Sequence, residues 1–295
     1  MNNDHLIQLA SRSSVIVALI LIIAKSYAVY VTSSLSVLSS LFDSSLDMVA
    51  SIGNLIAVTI ASRPADHKFR FGYGKLEAVS ALIQALLIII SLLFLISEAV
   101  KRFFQGETSV LQPEFGIGIM AISMLITLGL SIFQHYVVKR TTSIAIKAEA
   151  LHYKTDLAVN FFVIISLYFS RYYSNIDSIS CLIISGYVVW STRAIITESL
   201  AVLLDKEIEY TDKEKILTIL RNHPMVKGFH NFRTRTSGKR IFIEAHIEMD
   251  PELTLIEAHT ISHELKDAVE AVYPHAEIII HQDPVGYDKT PEKQF

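Results

Sequence analysis

The sequence predicts a membrane α-helical fold of six transmembrane helices, followed by a small cytoplasmic α+β domain. Three observations carry this. Of 295 residues, 51% are hydrophobic, more than an ordinary water-facing surface accommodates. That apolarity is concentrated: Ala78–Ser97 and Phe115–Val138 hold no Lys, Arg, Asp or Glu. Each is long enough to cross a hydrocarbon core of ~30 Å at 1.5 Å per residue. From Asp205 the composition turns to that of a water-soluble domain, so residues 1–205 and 206–295 are read as two domains.

The first span covers about Ser13–Val31 and holds one charge, Lys25. No small-residue cleavage pattern follows it, so it is read as a retained helix. The second, about Leu35–Ser62, carries Asp43 and Asp47 and is stopped by Pro64, which restricts the residue before it. A polar, basic connector over 63–75 leads to the third span, about Glu77–Val100, and then to the fourth, about Phe115–Val138. The fifth, about Thr142–Ser170, holds His152 and Asp156, and the sixth runs about Asp177–Leu204. An even number of spans puts both termini on one side. That side collects Arg12, Arg63, Lys68, Arg70, Lys75, Lys139, Arg140 and Lys147, against Lys101, Arg102 and Arg171 on the other. Basic residues mark the cytoplasmic face, so both termini are expected in the cytoplasm.

In the tail, Thr211-Asp212-Lys213-Glu214 reads as a capping box opening a helix that Pro224 stops. Phe229–Thr236, the turn Ser237-Gly238-Lys239 and Ile241–Glu248 read as a β-hairpin. In its second strand Ile241, Ile243, Ala245 and Ile247 face one way, and Phe242, Glu244, His246 and Glu248 the other. Thr254-Leu255-Ile256-Glu257 is a second capping box, and a last strand covers about Glu277–His281 before Pro284. The order α-β-β-α-β predicts a metallochaperone-like open-faced sandwich, with both helices on one face of a three-stranded sheet.

Composition also excludes several classes. The single cysteine, Cys181, rules out an intrachain disulfide and a multi-cysteine metal site, and its apolar setting marks a packing residue. No basic stripe with interleaved aromatics points to nucleic acid. No P-loop points to a nucleotide, so transport driven by ATP is not expected.

Chemistry concentrates in two pairs, Asp43-x-x-x-Asp47 and His152-x-x-x-Asp156. Four-residue spacing puts both members of a pair on one helix face, one turn apart. A carboxylate at the bilayer centre costs at least ~2.5 kcal/mol, so such groups face a cavity or a partner. Lining a helix interface, or pairing with Lys25, would account for one such residue. Two matched pairs instead supply three carboxylates and an imidazole, an N/O donor set for borderline or hard divalent ions such as zinc, ferrous iron or manganese. Without a thiolate it disfavours Cu(I).

These pairs, together with Pro64-Ala65-Asp66-His67, Gly72-Tyr73-Gly74-Lys75 and Ile279-Ile280-His281-Gln282-Asp283-Pro284, resemble the cation diffusion facilitator family over nearly the whole chain. The Asp-Asp/His-Asp combination resembles its iron/zinc efflux branch. Zinc-specific members more often have His in place of the first Asp. The resemblance implies a homodimer of six-span protomers in a bacterial inner membrane, a secondary active transporter rather than an enzyme. It would export Zn2+, Fe2+, Cd2+ or Co2+ from the cytoplasm against protons. The tail would hold metal at His230, His246, His259, His281 and Asp283, with Gln282 adding a ligand from the other protomer and His263 a competing ligand. Metal there would clamp the dimer and bias the helices. Relatives carry a further site in the connector, but Phe69 and Tyr73 stand here where they have histidines. Asp66 and His67 are left as a weak site. The resemblance also pairs Lys75 with Asp205 at the domain junction.

The exchange has a simple physical basis. Imidazole must be neutral to ligate metal, and its ordinary pKa is ~6.5, so proton and cation compete for the same nitrogen of His152. Two other readings fit the residues less well. A membrane metalloenzyme would need an open coordination position, which four ligands in a tetrahedral site do not leave. A membrane-anchored metal sensor or scaffold has no use for buried carboxylates in its anchor.

Overall fold

The computed structural model describes residues 3–32, 35–105, 113–141, 143–169 and 176–286. The order of elements is α1 (Asn3–Thr32), α2 (Leu35–Ala61), α3 (Leu76–Gln105), α4 (Pro113–Arg140), α5 (Ile144–Phe169), α6 (Ile176–Leu203), α7 (Tyr210–Arg221), β1 (Gly228–Ser237), β2 (Arg240–Met249), α8 (Leu255–Val272) and β3 (Ala276–Pro284). The chain divides into two compact units, residues 1–67 with 75–200, and residues 68–74 with 201–295. The connector segment 68–74 thus belongs with the tail. Arg171 and the side chain of Cys181 lie outside the described residues.

The first unit is a helical bundle with inverted polarity. Ser11, Ser14, Ser51, Asn54, Gln84, Gln134, Glu149 and Thr192 are buried, while Ile16, Ile23, Ile90, Leu93, Leu125 and Ile132 point outward. That is the arrangement apolar surroundings favour, with backbone bonds closed inside each helix and polar side chains turned toward one another. Helix α1 packs on α2 and α4, α3 on α2 and α5, and α4 on α5. Small residues allow close approach: Ala81, Ala85 and Ala148 meet Ile195 of α6, and Ala10 and Ala145 pack with Val58, Val137 and Ile146. Among the described residues, four helices are long and apolar enough to cross a membrane by length and composition.

In the second unit, β1 and β2 form an antiparallel hairpin, β3 runs parallel to β2, and β2 lies in the middle. Gly238 makes the hairpin turn at φ +60°, a conformation side chains with a Cβ resist. Ile243, Ala245, Ile247 and Ile278 meet Ile216, Leu220, Ile261, Leu265 and Val269 from α7 and α8. Each fully buried Ile or Leu contributes about 1.5–3 kcal/mol. Phe242 points to the opposite face yet is buried, because the connector covers it. Phe71 meets its ring edge-on at 5.3 Å between centroids, and the Arg235 guanidinium lies 4.5 Å and 5.1 Å from the rings of Phe71 and Phe242. Gly74 approaches the Ser237–Gly238 backbone so closely that a Cβ would fall 2.5 Å from Ser237 atoms.

Only one of the two capping boxes forms. At α8 the Thr254 hydroxyl accepts from the Glu257 amide, and the Glu257 carboxylate accepts from the Thr254 amide at 2.8 Å. Those bonds hold the Glu257 carboxyl below its usual range. At α7 the helix starts two residues earlier than expected, with Glu209 as N-cap and no side-chain cap bond. Thr211 is therefore already inside the first turn. Asp212 instead accepts from Lys215 at 3.0 Å and from the Tyr273 hydroxyl at 2.9 Å, tying α7 to the end of α8.

Candidate metal sites

The helical unit brings together Asp47 from α2 with His152 and Asp156 from α5. His152 Nε2 lies 3.0 Å from Asp47 Oδ1 and 3.6 Å from Asp156 Oδ2. One donor atom from each of the three falls within 4.8 Å of the others, close enough to share an ion. Helical geometry explains the α5 half, since His152 and Asp156 are one turn apart on the same face. Both carboxylates converge on one ring nitrogen, the atom whose lone pair would bind a cation. Asp43, one turn before Asp47 on α2, is exposed and stands outside this trio. Lys25 of α1 donates to Ser44 Oγ at 2.7 Å, and its charge acts on Asp43, Asp47 and Asp156. At formal charge, three carboxylates and one ammonium balance a single divalent cation.

A polar network adjoins the trio, and sequence reasoning passed over it. Glu149, one turn before His152, is fully buried. Its Oε2 accepts from Asn54 Nδ2 at 2.9 Å, and Asn54 Oδ1 accepts from Ser80 Oγ at 2.8 Å. Ser51 and the Tyr153 hydroxyl are 3.0 Å apart. A signal existed: Asn54 and Ser51 continue the Asp47 face at helical spacing, and Glu149 continues the His152 face.

The second cluster lies on the tail sheet, on the side away from α7 and α8. Strand register sets His230 beside His246 and His246 beside His281, one histidine per strand in a row across the sheet. Their rings follow at 5.0 Å and 4.5 Å. Asp283 sits two residues beyond His281 on the same face. Its Oδ2 is 2.9 Å from His246 Nδ1 and 3.5 Å from His230 Nε2, and its Oδ1 is 3.2 Å from His281 Nε2. Donor atoms of His230, His246 and Asp283 lie within 4.8 Å of one another, whereas His281 stands at the exposed edge. A carboxylate reached from both oxygens by imidazoles has the geometry of a bridge. Glu248, on the His246 face by strand alternation, places Oε1 3.3 Å from His230 Nδ1. It is a second residue the sequence reading passed over.

The remaining expected ligands lie elsewhere. Gln282 points the other way along β3, donating to Ser262 Oγ at 2.8 Å and to the Ala258 carbonyl at 3.3 Å on α8. His259 is exposed on α8, its ring 4.6 Å from that of His263. In the connector, Phe69 and Tyr73 pack ring against ring at 4.7 Å, and among the described residues Asp66 and His67 join no group of three potential ligands. Asp205, at a positive φ of 56°, places its carboxylate 3.9 Å from Arg235 Nη1.

Comparison with known proteins covers both units. The family model described as the cation efflux transmembrane domain matches residues 11–204, and the cation efflux protein cytoplasmic domain matches residues 208–285. The cation-efflux pump FieF of Pectobacterium carotovorum subsp. carotovorum is 39% identical over 296 residues, covering 99% of this chain and 98% of its own. Protein p34 of Rickettsia prowazekii is 40% identical over 291 residues, covering 98% and 97%. Among solved structures, the metal-bound C-terminal domain of the CzcD transporter from Thermotoga maritima is 26% identical, covering 27% of this chain and 96% of its own, with a TM-score of 0.26.

Proposed function

The chain belongs to the cation efflux family of membrane transport proteins, and on that premise we propose that it exports a divalent cation from the cytoplasm in exchange for protons. Its helical part is a transmembrane domain, its tail a small cytoplasmic domain, and its work is transport rather than catalysis. Residues 1–205 form the transport domain, with α1–α6 as six spans and both termini in the cytoplasm of a bacterial inner membrane. Residues 206–295 bind metal and join two copies into a homodimer. Zn2+ or Fe2+ is the cargo, and Cd2+ and Co2+ suit the same donors.

The observation that carries this reading is the convergence of Asp47 and Asp156 on Nε2 of His152. A cation taken up there is held by Asp47, His152 and Asp156, with Asp43 as the further ligand from α2. A proton on Nε2 removes the lone pair that binds the ion, so loading at low proton activity and release at high proton activity follow from one atom. In the tail, His230, His246, His281 and Asp283 hold metal. Asp66 and His67 make at most a weak connector site. No nucleotide takes part.

The test is flux. Purified protein in sealed vesicles is expected to move Zn2+, Fe2+, Cd2+ or Co2+ in a way that accelerates with an opposing proton gradient at fixed voltage. Flux indifferent to that gradient would rule out the exchange.

A further inference from the structure

Asp47, Ser51 and Asn54 follow one another along one face of α2, and Glu149, His152–Tyr153 and Asp156 do the same along α5. The two faces meet in three rungs. Asp47 Oδ1 stands 3.0 Å from His152 Nε2, Ser51 Oγ 3.0 Å from the Tyr153 hydroxyl, and Asn54 Nδ2 2.9 Å from Glu149 Oε2. The third rung is the deepest, with Asn54 1% and Glu149 0% exposed. It is also tied to two more helices. Asn54 accepts from Ser80 of α3 at 2.8 Å, and its amide nitrogen reaches Ser11 Oγ of α1 at 3.5 Å. A buried polar pair is weak evidence of stabilisation, since apolar residues of similar volume often replace one without loss. What a directed hydrogen bond supplies is register and rotation.

We propose that Asn54 and Glu149 form a positioning pair for the cation site, fixing α2 against α5 so that Asp47 and His152 present their donor atoms to one point. Neither side chain touches the ion. Glu149 lies three residues from His152 and Asn54 seven from Asp47, so a rotation of either helix at the lower rung is passed rigidly to the ligand above it. Partners of this kind, one step removed from the ligands, typically change metal affinity about 10–100-fold when lost. The inference rests on the transport reading.

The experiment measures zinc flux by the full-length chain in vesicles, as KM and maximal rate, with Zn2+ as the probe. Asn54→Ala and Glu149→Ala are each expected to raise KM about 10–100-fold with a smaller change in maximal rate. The double variant is expected within about twofold of the worse single one, because both lose the same rung. Glu149→Gln keeps an oxygen to accept from Asn54 and is expected to stay near wild type. If the alanine variants fail to fold, the pair Asn54→Asp and Asn54→Asp/Glu149→Gln takes their place. Two facing carboxylates should raise KM, and restoring a donor opposite the new acid should bring it back. A wild type that moves no zinc overturns the transport reading itself. A transporting wild type with unchanged KM in well-folded variants overturns the positioning role alone. So does Glu149→Gln as impaired as Glu149→Ala, which would make its charge the working feature, and so does a failed restoration in the swapped pair.

Discussion

The two ligand clusters are built by opposite means. In the tail, His230, His246 and His281 stand in a row because backbone hydrogen bonds between strands set them there. In the helical unit, Asp47 meets His152 only because α2 and α5 pack at a particular rotation, through side-chain rungs rather than backbone bonds. A sheet-borne site inherits its geometry from a continuous ladder and is stiff. A helix-borne site inherits it from a few side-chain contacts, so small helix movements can assemble or dismantle it. That contrast suits one cluster to holding a cation and the other to passing one.

The largest effect that would sharpen this comparison comes from the helical cluster. Asp47→Ala is expected to reduce cation flux to background while leaving zinc binding by the tail unchanged. Loss of tail binding in this variant would break the separation. Next comes the tail, where replacing His230 and His281 together is expected to weaken zinc binding at least about tenfold and to abolish metal-dependent tightening of the dimer. Undiminished tightening, followed by sedimentation with and without zinc, would remove the clamp. The smallest effect concerns the scaffold of the tail. Thr254→Ala is expected to destabilise the domain by about 1 kcal/mol, measured by denaturant unfolding. The pH dependence has a definite sign. Because its bonds to Thr254 hold the folded Glu257 carboxyl low, its contribution is full above the ordinary carboxyl value of ~4.3 and fades as pH falls through the depressed one. The stability gap between wild type and Glu257→Gln should therefore close on acidification and persist at neutral pH.

Much of the tail was legible because strand alternation and turn chemistry are local. The Ser237-Gly238-Lys239 turn, the Thr254 cap and the inward row Ile243, Ala245, Ile247 are each decided within a few residues. The α7 cap was misplaced because Thr211-Asp212-Lys213-Glu214 fits the capping pattern locally, while the N-cap is Glu209 and Asp212 is drawn to Lys215 and Tyr273. The burial of Phe242 was invisible because Phe71, which covers it, lies far away in sequence. Glu149 was passed over for a related reason. A lone acid among the charges at the start of a helix reads as solvated until Asn54 and Ser80 are seen closing on it.

By itself, the sequence determined which residues had to be paid attention to, since charge in a long apolar run is costly wherever the chain folds. It also determined the helical spacing that puts Asp43 with Asp47, and His152 with Asp156, on common faces. Only the tertiary structure decided which of the four meet, because that depends on the rotation of α2 against α5. Packing selects that rotation through the buried rungs of Ser51, Tyr153, Asn54 and Glu149, and no periodicity along either helix contains it.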